Sequence, residues 1–399
     1  MAFMTNILIS AELTNWIGKL LLLLYNWIGN FGWTVVVFSI LLKLVLSPLD
    51  IWQRVSMRNQ QKKMAALKPK LEKLEKQYGR NPDLLKQKQY ELQRSAKINV
   101  FSSCIPLIVT MVVFFVVFAG FRALVTYENE VLVEDLDQVY TEYIVDYNYN
   151  QLTEEQQAEF LNTPGYSKNF DSLQAYCTKT DESGNLIISK GFIVYETLEA
   201  DSPTAYAELN EKLADKYEEN LEKVGWLWVK NVFKSDVGTD VIPSYKAYIS
   251  TGTGGIGASI SDTQIHTSYT NLVQSSMSRF NKTSTWDIKN WNGYFILPIL
   301  SLLTSFLSTF IMQRSSNSQQ SMVGTKEQQQ QQQKTQKMMT YMMPIMLAIF
   351  SMLYSAAFAI YYFVSNVMST LTTLLINTIM KAKEKKELKE EDSSMIKIS

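Results

Sequence analysis

The chain has 399 residues, 38 basic and 38 acidic side chains, 46% hydrophobic residues, two cysteines and one histidine. Its apolar residues are clustered into runs of about 18 to 20 residues without charge, the length that a bilayer core demands, which argues against a string of soluble domains. Two cysteines cannot build a disulfide framework. His266 lies in a stretch rich in Ser and Thr, where we expect neither a His-based triad nor a His-rich metal site.

The N-terminal region, residues 1–31, contains a leucine run flanked by Trp16, Trp27 and Trp33. Tryptophans at the two ends of an apolar run are typical of a helix that lies in the membrane interface, here the outer one, and an additional membrane span is the alternative. The region has no small-residue cleavage site after the apolar run, so we expect no cleaved signal peptide.

The first span is predicted at residues 32–50 and contains Lys43, several residues inside its edge. A cation in hydrocarbon is costly, so it is usually paired, solvated or functional. Ser39 lies one turn earlier on the same helix face. Lys43 either extends to the cytoplasmic headgroups or lines a water-filled cavity, and the sequence leaves both open. Other spans offer polar groups for such a cavity, namely Thr110, Tyr361, Tyr362, Ser365 and Asn366.

Residues 51–100 are predicted to form a cytoplasmic helical hairpin. Thirteen Lys or Arg side chains stand here against four acidic ones, which places the loop inside under the positive-inside rule. Leu67, Leu71 and Leu74 recur at helical spacing, and residues 79–82 form a strong turn signal. The lysines are either a solvated face or a contact for lipid headgroups and nascent chains.

The second span is predicted at residues 101–121, followed by an extracellular region at 122–290 with 26 acidic and 12 basic side chains between residues 127 and 290. An α+β insert is expected at about residues 131–224, because so long a loop without structure would be exceptional. Its signals are a capping box at Thr153 and Gln156, strands around residues 181–185, and a helix beginning at Ser202 and Pro203.

The glycine-rich stretch "GTGGIG" at residues 252–257 has dinucleotide-binding spacing but lacks the acidic residue expected about twenty positions later. We interpret it as a flexible linker. The chain contains no Gly-x4-Gly-Lys-Ser/Thr phosphate loop, so no nucleotide hydrolysis is expected. We therefore predict no cofactor, no metal and no enzymatic activity.

The C-terminal part is predicted to contain a third span at residues 291–313, a Gln-rich cytoplasmic connector at 314–337, and fourth and fifth spans within 338–380 that reverse near residues 354–357. The tail at residues 381–399 is expected in the cytoplasm. Five crossings place the N-terminus and residues 122–290 outside. The tail has six basic and five acidic residues, which does not support strong electrostatic binding to ribosomal RNA.

The membrane part resembles the YidC/Oxa1/Alb3 family of membrane protein insertases. The similar segments are "NWIGNFGWTVVVFSILLKLVLSPLDIWQRVSMRNQQKKMAALKPKLEKL", "AKINVFSSCIPLIVTMVVFFVVFAGFR", "WLWVKNVFKSD", "YFILPILSLLTSFLSTFIMQ" and the final pair with its Tyr-Tyr-x-Val-Ser-Asn. About 240 residues are similar, and residues 131–224 are not. The family's groove usually carries arginine where this chain has Lys43, and "LYSAAFAIYY" lacks the usual Pro-Ser-Gly at the last reversal.

The resemblance implies an all-α polytopic membrane protein of the cell membrane with a five-span insertase core. The residues themselves predict the cytoplasmic helical hairpin and the extracellular α+β insert that accompany this core. It implies a polar groove open to the cytoplasm that receives nascent membrane proteins, with the Sec translocon and the ribosome as candidate partners and no direct DNA binding. A small-molecule transporter would usually show inverted repeats, and none is visible. A membrane-anchored surface receptor would instead place its function in the acidic insert.

Overall fold

The computed structural model describes residues 15–96, 105–186, 188, 190–242, 244–249, 288, 291–315 and 326–396, and the regular elements of this part are helices. In chain order they are α1 (Trp16–Ile28), α2 (Phe31–Tyr78), α3 (Pro82–Ser95), α4 (Ile105–Gln151), α5 (Glu154–Asn162), α6 (Phe170–Cys177), α7 (Tyr195–Asp201), α8 (Pro203–Val224), α9 (Tyr245–Tyr248), α10 (Ile296–Ser315), α11 (Lys326–Leu353) and α12 (Ala356–Ile396). Cys104, the glycine-rich stretch at 252–257 and His266 lie outside the described residues.

The chain divides into two compact units. The first consists of Met1–Thr34 and Ala119–Tyr294, and the second of Val35–Phe118 and Phe295–Ser399. Helices α2 and α4 are continuous through these boundaries. Each helix also extends beyond its predicted span, α2 to Tyr78 and α4 to Gln151. The unit division therefore does not coincide with breaks in the helices.

The first unit has a core built on the second half of α4. Val133, Leu136, Tyr140 and Ile144 recur at spacings of three and four residues, which places them on one face of the helix, and all four are buried. Side chains from α5, α6, α7 and α8 complete this core, namely Phe160, Leu173, Leu198, Leu209, Leu213 and Tyr217. Burial of each such side chain contributes about 1.5 to 3 kcal/mol.

The helix starts predicted in the first unit are confirmed. The backbone N–H of Gln156 donates to Thr153 Oγ1 at 3.3 Å, and the side-chain oxygen Oε1 of Gln156 accepts from the backbone N–H of Thr153 at 3.0 Å. Ser202 caps α8 by accepting from the Ala205 N–H, and Pro203 occupies the first helical position. These signals depend on neighbouring residues only, so the sequence is sufficient to predict them.

The strands predicted around residues 181–185 are wrong for the described part of the chain. The preceding segment forms α6, and the pairing is limited to an isolated bridge between Thr180 and Leu186. Beyond the turn, Asn148 of α4 takes the place of a strand partner at Ile193. The Asn148 side chain accepts from the Ile193 N–H and donates to the Ile193 carbonyl, both at 2.8 Å. A side chain thus satisfies backbone groups that a neighbouring strand would otherwise bind. The insert is helical where it is described, rather than α+β.

The second unit contains the hairpin. Helix α2 ends at Tyr78 and α3 begins at Pro82, so the turn predicted at residues 79–82 is present. Asn81 caps α3 by accepting from the Leu84 N–H. Leu67 and Leu71 are buried, and Leu92 and Ala96 pack against them.

The remaining helices of the second unit form a bundle in which α10 packs against α12 and α11. The predicted break near residues 354–357 is present, because α11 ends at Leu353 and α12 begins at Ala356. Aromatic rings of α4 surround this break: Phe118 packs edge-on against Tyr354 at 4.9 Å, and Phe114 packs against Phe358 at 5.6 Å. The Gln-rich connector is helical from Lys326, where α11 starts.

Three helices of the described part are long and apolar enough to cross a membrane, within Phe31–Gln53, Met111–Gln151 and Ala356–Met380. The third and fourth predicted spans correspond to shorter apolar helices, Ile296–Ile311 and Pro344–Leu353. The three long helices are consistent with an all-helical membrane protein, and the number of five spans stays a prediction.

Candidate functional site

Lys43 lies in α2 with a carboxylate partner on the same helix. Its Nζ is 3.8 Å from Asp50 Oδ2, and the two side chains are 21% and 25% exposed. A separation of 3.8 Å is an ion pair rather than a hydrogen bond of normal length. Seven residues correspond to about 10 Å of helix, so the lysine extends along α2 toward its C-terminal end. This is the direction expected for a lysine that reaches toward the headgroups, and Asp50 is the partner that the sequence interpretation missed.

Pro48 stands between the two charged residues without ending the helix. A proline inside a helix leaves the carbonyl four residues earlier without its usual N–H donor, here the carbonyl of Leu44. The Ser47 hydroxyl donates to that carbonyl at 2.8 Å. Because Ser47 replaces the lost hydrogen bond, α2 continues and keeps Lys43 and Asp50 on one face.

Ser39 is fully buried, and its hydroxyl donates to the carbonyl of Val35 at 2.6 Å. The hydroxyl proton is thus used within α2, although the oxygen can still accept from another group. Thr110 lies in α4, and its side chain is outside the described part of the structure.

The four predicted residues of α12 lie within two turns of the helix. Tyr361 and Ser365 are buried, while Tyr362 and Asn366 are partly buried. Tyr362 shares a hydrogen bond of 3.0 Å with Ser305 of α10. Ser365 Oγ and Asn366 Nδ2 are buried atoms. Ser365 interacts with the side chain of Tyr361 and Asn366 with that of Tyr362, but neither contact has the geometry of a normal hydrogen bond. Buried polar atoms are nearly always paired with protein or water, so this part of α12 is suited to hold water or a polar ligand group.

Ser301 and Ser305 of α10 also belong to the site, although the sequence analysis did not predict them. Ser301 is fully buried and donates to the carbonyl of Ala359 at 3.4 Å, one turn from the Ser305 contact. Small hydroxyl residues four apart let helices approach closely in membranes and hydrogen-bond across the contact. That spacing is the signal that could have identified Ser301 and Ser305.

The site thus consists of two groups within the second unit, a Lys43 and Asp50 pair on α2 and a hydroxyl and amide cluster on α10 and α12. These groups can form hydrogen bonds and attract charge. In the described residues, no group of three or more His, Cys, Asp or Glu side chains could hold a metal ion.

Comparison with known families gives a match over most of the chain. A sequence model of the 60Kd inner membrane protein family, which is the YidC/Oxa1 family, matches residues 23–166 and 204–385. The chain belongs to this family. The resemblance found in the membrane segments is therefore confirmed, and the protein is membrane-embedded. The 60Kd inner membrane protein match is wider than expected, because it leaves out only residues 167–203 of the region predicted to be unrelated, 131–224.

Relatives carry the name "Membrane protein insertase YidC" in several bacteria. The one from Caldanaerobacter subterraneus is 30% identical over 112 residues, covering 28% of this chain and 52% of the relative. The one from Fusobacterium nucleatum is 35% identical over 98 residues, covering 25% and 46%. The one from Ectopseudomonas mendocina is 36% identical over 95 residues, covering 24% and 16%. The chain therefore spans about half the length of the first two relatives and less of the third.

Proposed function

We propose that this 60Kd inner membrane protein family member is a membrane protein insertase. It assists insertion and folding of other membrane proteins through a polar groove in the second unit that is open to the cytoplasm. The observation that carries the proposal is the mostly buried Lys43 and Asp50 pair inside an apolar helix long enough to span the membrane. Relatives named as YidC insertases support it.

Partitioning energies explain why such a groove would help. A charged residue at the bilayer centre costs about 2.5 to 3.5 kcal/mol by insertion scales, so a polar terminus crosses hydrocarbon slowly. Water held near Ser365 and Asn366, together with the Lys43 cation, removes part of this cost for an acidic segment. The apolar segment that follows then enters lipid, and its burial drives the step to completion without nucleotide hydrolysis.

Five spans are part of the proposal. The shorter helices α10 and α11 both present apolar side chains outward, which suits contact with lipid. On α10, Leu303, Leu307 and Phe310 are more than half exposed. On α11, Met342, Ile345 and Ile349 are exposed at helical spacing. With the basic loop at residues 51–100 inside, the N-terminus and residues 122–290 lie outside and the C-terminal tail lies in the cytoplasm.

The proposed clients are nascent membrane proteins, received first by the basic hairpin of α2 and α3. Its lysines also suit lipid headgroups, because anionic lipid attracts basic segments near the membrane. The Sec translocon and the ribosome are proposed as cooperating partners, and no DNA contact is proposed.

Reconstitution in liposomes tests the function. The purified protein should insert a single-span substrate with an acidic outer tail without added nucleotide, and protein-free liposomes should not. Equal insertion in both would contradict the proposed function. The groove is tested by Lys43→Ala, expected to slow insertion, and Lys43→Arg, expected to retain it. Lys212→Ala in α8 is the matched control, because that lysine is half exposed on the surface of the first unit. Full activity of Lys43→Ala would show that the cation is not needed.

A further inference from the structure

Residues 226–229 form a tight turn with a bulky residue in an unfavourable backbone conformation. The Trp226 N–H donates to the Val229 carbonyl at 2.8 Å, and the Val229 N–H donates to the Trp226 carbonyl at 2.9 Å. Leu227 has φ 51°, in the left-handed region. Glycine or asparagine is the usual residue in this conformation, because a larger side chain makes it cost free energy.

Leu227 is also the most solvent-exposed side chain of this turn. Its side chain is 66% exposed, whereas Trp226 and Val229 are buried. Trp228 is held back toward the unit, because its Nε1–H donates to Asp236 Oδ2 at 3.3 Å. A strained backbone that presents a single apolar side chain is an outlier that points to a role for that side chain.

The turn is fixed beside the first residues of α2. The ring of Trp226 packs edge-on against that of Trp33 at 5.9 Å between centroids. Trp226 also lies so close to Gly32 that a Cβ on this glycine would be 2.3 Å from Trp226 Cβ. Asn30 donates to the Gly225 carbonyl at 2.9 Å. These contacts all belong to the first unit.

This position determines what surrounds Leu227 in a membrane. Phe31–Gln53 is apolar and long enough to cross a bilayer, so its first residues lie at one boundary of the hydrocarbon. The turn packed on Gly32 and Trp33 must lie at the same level. Trp33 is itself half exposed, and exposed tryptophans favour this boundary.

We propose that the 226–229 turn is a lipid-contact site, at which Leu227 enters the headgroup boundary on the side of the membrane where α2 begins. The occupant is the phospholipid bilayer. Burial of Leu227 in lipid offsets the cost of its left-handed backbone, because an apolar side chain removed from water is stabilised. The contact anchors the first unit to the membrane beside the start of α2. The proposal rests on the placement of Phe31–Gln53 across the membrane and not on insertase activity.

Depth-dependent fluorescence quenching tests the contact. Leu227→Cys is made in full-length protein that also carries Cys104→Ser and Cys177→Ala, labelled with NBD, and reconstituted in vesicles of phosphatidylethanolamine and phosphatidylglycerol. We expect NBD fluorescence to be lost when the vesicles contain lipid with a doxyl group at acyl carbon 5, because interfacial apolar groups lie roughly 5–10 Å into the headgroup boundary.

The matched control is Leu161→Cys in the same protein, because Leu161 is 57% exposed on α5, in the same unit. Its fluorescence should change little with doxyl lipid. Equal quenching at both positions would overturn the proposal. Benzoylphenylalanine at position 227 keeps an apolar side chain if the labelled variant does not fold. Lipid adducts detected by mass spectrometry at 227 and not at 161 would support the contact, and their absence at 227 would contradict it.

Discussion

Lys43 Nζ lies 3.8 Å from Asp50 Oδ2, with Pro48 between them in the same helix. The cation of the proposed groove is therefore partly neutralised by its own chain before any client arrives. An acidic client segment would have to compete with Asp50 for Lys43, since both carry the same charge.

Removal of this competition should change the preference for client charge. Asp50→Asn is expected to speed insertion of a substrate with an acidic tail by up to about fivefold, since a partly exposed ion pair contributes up to about 1 kcal/mol. The same variant should slow a substrate with a basic tail. Insertion rates in liposomes measure both. Glu72→Gln on the exposed part of α2 is the control, and identical rates for all variants would show that Asp50 does not tune the groove.

The contact between α10 and α12 should be measurable by a double-mutant cycle. Ser305→Ala and Tyr362→Phe each remove the 3.0 Å hydrogen bond, so each should lower the free energy of unfolding by about 1 kcal/mol. The double variant should lose clearly less than the sum of the two single losses, because both delete the same bond. Denaturation in detergent micelles gives these values.

Thr304→Ala provides the matched cycle. Thr304 donates to the carbonyl of Leu300 within its own helix. The losses in free energy of unfolding from Thr304→Ala and Tyr362→Phe should therefore add in the double variant. Additivity in the Ser305 cycle as well would mean that Ser305 and Tyr362 are not coupled.

Local signals of the fold were readable in the sequence, and contacts between distant segments were not. The Thr153 capping box, the Ser202 cap and the break before Ala356 depend on residues a few positions apart. The strand prediction was wrong, and beyond the turn the backbone of Ile193 is bound by Asn148 from 45 residues away instead of by a strand. Nothing near Ile193 in the sequence indicates that partner.

The candidate site divides in the same way. Lys43 is visible as a charge in an apolar run, and Asp50 could have been added because seven residues are two helical turns. The hydrogen bond between Tyr362 and Ser305 could not be predicted from the sequence, because Ser305 lies 57 residues earlier on another helix.

The packing of Trp226 on Gly32 should make this glycine hard to replace. Gly32→Ala would place a Cβ 2.3 Å from Trp226 Cβ and 2.5 Å from Cγ, so something must shift. We expect a loss of about 1 to 3 kcal/mol in stability, the usual cost of overpacking, measured by thermal unfolding in micelles. Gly165→Asn is the control, since a Cβ there meets no atom within 4 Å and asparagine tolerates positive φ. A Gly32→Ala protein as stable as wild type would contradict the close packing.

Cys177 should be unreactive in the folded protein. Burial raises the pKa of its thiol to about 11 from an ordinary value of 9.0, and the side chain is 1% exposed. Because the thiolate is the reactive form, its fraction at pH 8 is about a hundredfold lower than for an ordinary thiol, and burial blocks access further. In a Cys104→Ser protein, maleimide labelling should be slow, rise with pH up to pH 10, and become fast on unfolding.

Leu161→Cys in a Cys104→Ser and Cys177→Ala background should label quickly at pH 8, because this position on α5 is exposed. Rapid labelling of native Cys177 at pH 8 would show that α6 opens readily from the core.

Pro48 gives α2 a point of mechanical weakness between the two charges of the groove. At that point the Leu44 carbonyl is held by the Ser47 hydroxyl in place of a backbone amide. Any bend of α2 at this joint changes the distance from Lys43 to Asp50, because one charge lies on each side of it. The distance from Lys43 Nζ to Asp50 Oδ2 therefore depends on the curvature of α2. A bend that lengthens this distance weakens the ion pair and leaves the Lys43 charge less neutralised.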